Sequence, residues 1–228
     1  GRWNEAVATF AQLPEDKLFT GTTLSLLDSV LQIALARGDL DEARRILGLF
    51  AELESSADIQ DRSGYLGAAA AIARAEGRLE DAAALGLEAI EVSRAGLGVG
   101  SQGVKQGTVQ ALEALLDLGD RARAEELLEG IEALKPGVRP PYLEAQAHRF
   151  RGRLAGADEV ADERFAAAAS RFRELGIVFW LAVTMLEHGK RTGHSALLAE
   201  AREIFESLRA TPWLERVDSA RALAKVGA

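Results

Sequence analysis

The run Gly96-Leu-Gly98-Val-Gly100-Ser-Gln-Gly103-Val-Lys105-Gln-Gly107-Thr108 holds a formal G-x-G-x-x-G at 98–103. Glycines so spaced let a backbone close on a pyrophosphate, but the dinucleotide fingerprint also needs a preceding strand. Ala89-Ile-Glu-Val-Ser-Arg94 reads as helix instead, and Val104 stands where a phosphate loop requires Lys. The run is therefore expected to be a flexible loop between repeats. Ser101 follows Gly100, but Val99 replaces the first glycine of a nucleophile elbow and no strand leads in. His188 and His194 lie six residues apart, whereas a helical metal pair needs three or four, so both are expected in exposed turns. His148, Arg149, Arg151 and Arg153 form a basic stripe in which Arg149 and Arg153 share one helical face. That face suits an anionic ligand or partner, or a solvated surface with ion pairs to Glu144 and acids of neighbouring helices. The acids Asp158, Glu159, Asp162 and Glu163, and likewise Glu125, Glu126 and Glu129, fall in first turns or on helix surfaces. The helix dipole accounts for the first-turn acids, and nothing opposes two carboxyls across a cleft. The chain is expected to have no catalytic residue, no metal site and no cofactor.

Composition narrows the classes further. A net charge of −8 argues against direct nucleic-acid binding, which needs clustered Lys and Arg. The absence of cysteine removes disulfides and thiolate chemistry and fits a cytoplasmic protein. No run approaches the roughly 20 apolar residues of a membrane span, and no signal peptide opens the chain.

The elements that must position any site come from a repeated phrase, a turn Gly followed five residues later by Ala. It reads Gly1…Ala6, Gly38…Ala43, Gly77…Ala82, Gly119…Ala124 and Gly156…Ala161, with a looser copy at Gly193. The intervals of 37, 39, 42, 37 and 37 residues predict a stack of helical hairpins. Apolar residues such as Leu24, Leu27, Leu31 and Ala34 recur at helical spacing, and all five prolines are expected between helices. The pattern predicts helices near 2–13, 22–37, 40–55, 58–76, 79–95, 104–118, 121–134, 141–154, 158–175, 177–191, 196–210 and 213–226. Asp39 and Asp120 are expected N-caps, and Gly38, Gly77 and Gly119 left-handed helix stops. The Ala after each Gly marks a close helix crossing, and Phe10, Leu47, Leu128 and Phe165, four residues on, are expected to fill the adjacent gap.

The Gly-Asp turn, the small residue at plus five and the bulky one at plus nine resemble the tetratricopeptide repeat (TPR). The intervals exceed that family's 34 residues, and of Leu31, Ala70 and Leu112 only Ala70 keeps its small first-helix residue. Repeats this long resemble those of bacterial signalling ATPases, such as maltose-regulon activators and ATPase-linked nucleotide cyclases. Phe172-Arg-Glu-Leu-Gly176 and Ala199-Glu-Ala-Arg-Glu-Ile-Phe-Glu-Ser-Leu-Arg-Ala-Thr-Pro-Trp-Leu-Glu-Arg216 are similar to their closing repeat, where Pro-Trp starts a capping helix.

The resulting expectation is all-α: one right-handed α-solenoid domain, 1–228, of five to six TPR-like hairpins plus a C-terminal cap. Because Gly1 occupies an internal turn position, the chain is read as a piece of a longer protein cut inside a repeat. Trp3 would then lie partly exposed at an apolar end open to self-association. First helices of such stacks line a concave face. With the turn Gly as register mark, the inward candidates are Asp28, Gln32, Arg74, Gln106, Glu113, Gln146, Arg149 and Arg153. The resemblance implies a non-catalytic interaction or sensing domain regulating a multidomain bacterial signalling protein. Its partner would be a protein or peptide, or a small-molecule inducer. The alternative is a free-standing scaffold that binds a protein partner.

Overall fold

A computed structural model describes residues 2–14 and 21–226, with the side chains of 21–27 and 224–226 left aside. The described residues are all-helical. Twelve α-helices run α1 Trp3–Ala11, α2 Gly21–Arg37, α3 Leu40–Gly48, α4 Ile59–Ala75, α5 Leu79–Leu97, α6 Gln102–Asp117, α7 Arg121–Glu132, α8 Pro141–Leu154, α9 Asp158–Glu174, α10 Val178–Thr192, α11 Ser195–Leu208 and α12 Thr211–Val226. None is long and apolar enough to cross a membrane. The turn at Gly1 lies outside the described residues, as do the side chains of Leu24 and Leu27.

The repeated phrase does what its chemistry requires. Gly38, Gly77 and Gly119 take φ of 86°, 78° and 79°, a region that L side chains enter only with strain. Asp39 caps α3 by accepting from the Glu42 amide at 3.0 Å, and Asp120 accepts from Arg123 N at 3.2 Å. Ala43, Ala82, Ala124 and Ala161 are fully buried. Phe10, Leu128 and Phe165 are buried beside them, whereas Leu47 is only half-buried and Ile46 takes the core position.

Three expectations need correction. The single helix over 40–55 ends at Gly48, and a 3-10 helix, Ala51–Ser55, follows. Glycine weakens helix continuation, and the break seats Phe50 wholly in the core with Leu31 and Ile46. Pro141 and Pro212 lie inside the first turns of α8 and α12 rather than between helices, where no N–H is needed. The glycine-rich run is mostly helix. α5 continues to Leu97 and α6 begins at Gln102, so only 98–101 remain as loop.

Gly103 and Gly107 are instead contact residues. A methyl group on Gly86 of α5 would sit 2.8 Å from the Gly107 carbonyl oxygen, and one on Gly107 would strike the Gly86 carbonyl. A side chain on Gly103 would meet the hydroxyls of Ser63 and Ser93 at 2.6 and 2.8 Å. The glycines let α5 and α6 touch backbone to backbone.

The described residues form two compact units, 2–14, 21–35 and 39–130 in one, and 36–38 with 131–226 in the other. In the first, α4 packs on α3, α5 and α6, and α5 packs on α6. In the second, α8 packs on α9 and α10, while α10 also packs on α9, α11 and α12. Within the units, α4, α8 and α10 thus each touch the helix that follows them and the next helix but one. Aromatic rings close the second unit, with Phe179 edge-on to Trp180, Phe205 and Trp213 at 5.3, 6.1 and 5.3 Å.

Candidate functional site

In the first unit the first helices α2, α4 and α6 bring polar side chains together across long sequence separations. Gln102 Nε2 donates to Asp28 Oδ2 at 3.1 Å, and Gln106 Nε2 donates to the same oxygen. Small residues on α4 make this reach possible. Gln106 lies over Gly67, where a Cβ would meet its Oε1 at 3.2 Å. The result is a cleft of about 350 Å³ lined by Asp28, Gln60, Ser63, Gly64, Leu97, the turn Gly100–Gly103 and Gln106.

The cleft's wall is well anchored. Ser101 caps α6 by accepting from Val104 N and donates to the Gly98 carbonyl at 2.8 Å, which leaves the Ser93 hydroxyl to donate to Ser101 Oγ at 2.7 Å.

Asp28 is the charged element. It is 8% exposed, and its Oδ1 closes no hydrogen bond. Burial pushes the carboxyl above the ordinary carboxylate range, against the opposing pull of Gln106, Gln102, Gln32 and the Lys105 charge. The Gln32 amide, four residues along α2, favours the ionised form, yet its Nε2 closes no hydrogen bond either. A buried polar atom without a partner costs about 1–3 kcal/mol, so Asp28 Oδ1 is a standing demand for a donor.

The remaining sequence candidates are engaged within the protein. Half-buried Arg74 donates through Nε to Gln110 Oε1 at 2.9 Å, with Glu113 buried one turn further along α6. In the second unit Arg149 is 1% exposed. Its guanidinium forks onto Glu187 at 2.7 and 2.6 Å and lies over the rings of Phe150 and Trp180 at 4.7 and 4.9 Å. Gln146 accepts from Arg149 Nη1 at 3.3 Å and donates to the Tyr142 hydroxyl. Arg153 stands 3.8 Å from Glu187 and over Phe150. Glu144, expected to pair with the basic stripe, is taken by Arg171 at 2.7 Å.

His188 is the clear departure. It belongs to α10, is 14% exposed, bonds Asp162 Oδ1 at 2.9 Å and stacks on Phe165, whereas His194 is exposed as expected. The helix continues to Thr192 before Gly193 stops it with φ 72°.

Sequence reasoning picked Asp28, Gln32 and Gln106 and missed Gln102, Ser63, Glu187 and Gln110. The missing signal was the period itself. Arg74 meets Gln110 36 residues on, and Arg149 meets Glu187 38 residues on. In both pairs the partner lies roughly one repeat further on, whereas the partners of Asp28 lie about two repeats on.

No protein-family model matches the chain, and no curated protein matches it in sequence. Among solved structures, the crystal structure of BtubC (BKLC) from P. vanneervenii is similar at a TM-score of 0.53 and 16% identity. The match covers 98% of this chain and 87% of that one, and it shows a shared helical fold.

Proposed function

We propose that this chain is a non-catalytic ligand-sensing or protein-interaction module, a right-handed solenoid of TPR-like hairpins that regulates a multidomain signalling protein. The observation that carries the sensing reading is the convergence of Asp28 with Gln102 and Gln106, 74 and 78 residues away, around a cleft. A polar site shared by first helices is where a repeat stack recognises what it binds. The turn glycines, the buried Ala at plus five and the packing of α4 on α6 and of α8 on α10 support the TPR-like reading. The helical likeness to BtubC agrees with it.

Native mass spectrometry of the chain after incubation with a small-molecule cell extract tests the sensing reading. A stoichiometric adduct on the parent chain that Asp28→Asn removes is the expected result. A bare chain in both cases overturns it and leaves the free-standing scaffold, in which the same helices meet a protein partner.

A further inference from the structure

The chemistry of the cleft selects a ligand class. Among the described residues four buried side-chain atoms close no hydrogen bond, and Asp28 Oδ1 is the one whose residue lines the cleft. The other carboxylate oxygen is saturated by two amide donors, so the unmet acceptor is a single atom, with the Gln32 amide as its neighbour on α2. An anion is repelled there. A hard divalent cation wants six or more oxygens, including several carboxylates. The lining offers one carboxylate, with hydroxyl and amide side chains around it. An ammonium nitrogen matches better, because it supplies charge and several N–H donors to one compact point. Leu97 gives the carbon stem an apolar wall, and the Gln60 and Gln102 amides at the rim suit polar substituents. The volume of about 350 Å³ lies at the small end of the range for ligand pockets. Lys105, on α6, is the charged group whose field also reaches Asp28.

We propose that this cleft binds an alkylammonium group, with Asp28 Oδ1 as its counter-ion and hydrogen-bond acceptor. The inference rests on the ligand-sensing reading and names the chemistry of its ligand. Two sources share that chemistry, a free small amine and a lysine side chain of a partner.

Protein-observed NMR at neutral pH separates them, with ethanolammonium and N-acetyl-lysine methylamide as probes and ethylene glycol as the neutral isostere. Saturable shifts at the Gly64, Ser101 and Gly103 amides are expected for the ammonium probes. Both ethylene glycol and the Asp28→Asn chain should bind about tenfold more weakly or worse, the scale of one charge-assisted hydrogen bond. Saturation by ethanolammonium assigns a small amine, and saturation by the lysine probe alone assigns a protein side chain. Calorimetry in buffers of different ionisation heat gives an independent readout, since the cation favours ionised Asp28 and binding should release protons. An equal response to ethylene glycol, unchanged affinity in a folded Asp28→Asn chain, or no saturation by either ammonium overturns the proposal. Saturation by neither is also the outcome if the Gln32 amide claims Oδ1 in solution. An extract-derived adduct without an amine leaves the sensing reading standing and sinks this one.

Discussion

At the scale of single residues, two buried charges sit in opposite situations. Arg149 is complete, with a bidentate carboxylate, an amide and two aromatic faces around it. Asp28 is incomplete, with one oxygen unserved. The difference predicts different mutational behaviour. Arg149→Met leaves Glu187 without its fork partner and should cost about 2–4 kcal/mol, below a fully buried pair because Glu187 stays 22% exposed. Adding Glu187→Leu should recover much of that loss, because two apolar side chains then replace a desolvated pair. Urea unfolding of the single and double variants checks this, and an additive double variant would show that the pair does not couple. Such pairings were half legible in the sequence. Residue type and helical register marked Arg149 and Asp28 as inward, but register along one helix cannot say which residue of another helix completes the contact. The repeat period narrows the choice to residues one or two repeats on, but it does not name the partner.

At the scale of elements, the helix bounds lie within two residues of expectation except at the end of α3, because the Gly-Asp turns, the N-caps and the 3.6-residue apolar spacing all agree. The glycine-rich run misled for a physical reason. Glycine serves both loops and close helix contacts, and sequence alone does not separate the two uses. What separates them is the partner glycine, here Gly86 facing Gly107. A matched pair of substitutions turns that into a measurement. Gly107→Ala drives a methyl into the Gly86 carbonyl, so α5 and α6 must part, and the loss should reach about 2 kcal/mol or more. Gly130→Ala, within α7 and with open space around its Cβ, should instead gain about 0.5–1 kcal/mol from helix propensity. Equal effects of the two changes in denaturant unfolding would deny the backbone contact. The contact also bears on the cleft, because α6 carries Gln102, Gln106 and the Ser101 cap. Gly107→Ala should therefore weaken ligand binding without touching a lining side chain.

At the scale of the whole molecule these groups meet in the dependence of stability on pH. Glu42 and Glu132 have carboxyls held below their ordinary value of 4.5 by hydrogen bonds to Arg45 and Arg151, and Glu76 is held down by Arg78 and Arg44. A lowered carboxyl stabilises the fold above its unfolded value and loses that contribution as pH falls through the folded one. These pairs make the acid limb, and because they are partly open to solvent, salt should weaken it. His148 works in the same direction at higher pH. Burial, helped by the Arg164 charge, lowers it from 6.5, so its contribution is present above about 6.5 and fades as pH drops below. Asp28 runs the other way. Its carboxyl is raised from 3.8, so the folded state holds the proton longer, and stability declines as pH climbs from about 4 through the folded value. Asp28→Asn removes this decline. The variant should match the parent near pH 4 and exceed it by a widening margin as pH climbs toward neutral. Thermal unfolding by circular dichroism from about pH 2 to 8, at low and high salt, reads both limbs. An advantage of Asp28→Asn that is the same at every pH would mean that the carboxyl is not the cause. If the advantage grows with pH and ammonium binding is lost in the same variant, the ionised carboxylate costs stability in the empty protein because it is held ready for a cation. Saturating ethanolammonium should then raise the parent's Tm most at the neutral end, where the empty cleft is least stable, and leave Asp28→Asn unmoved.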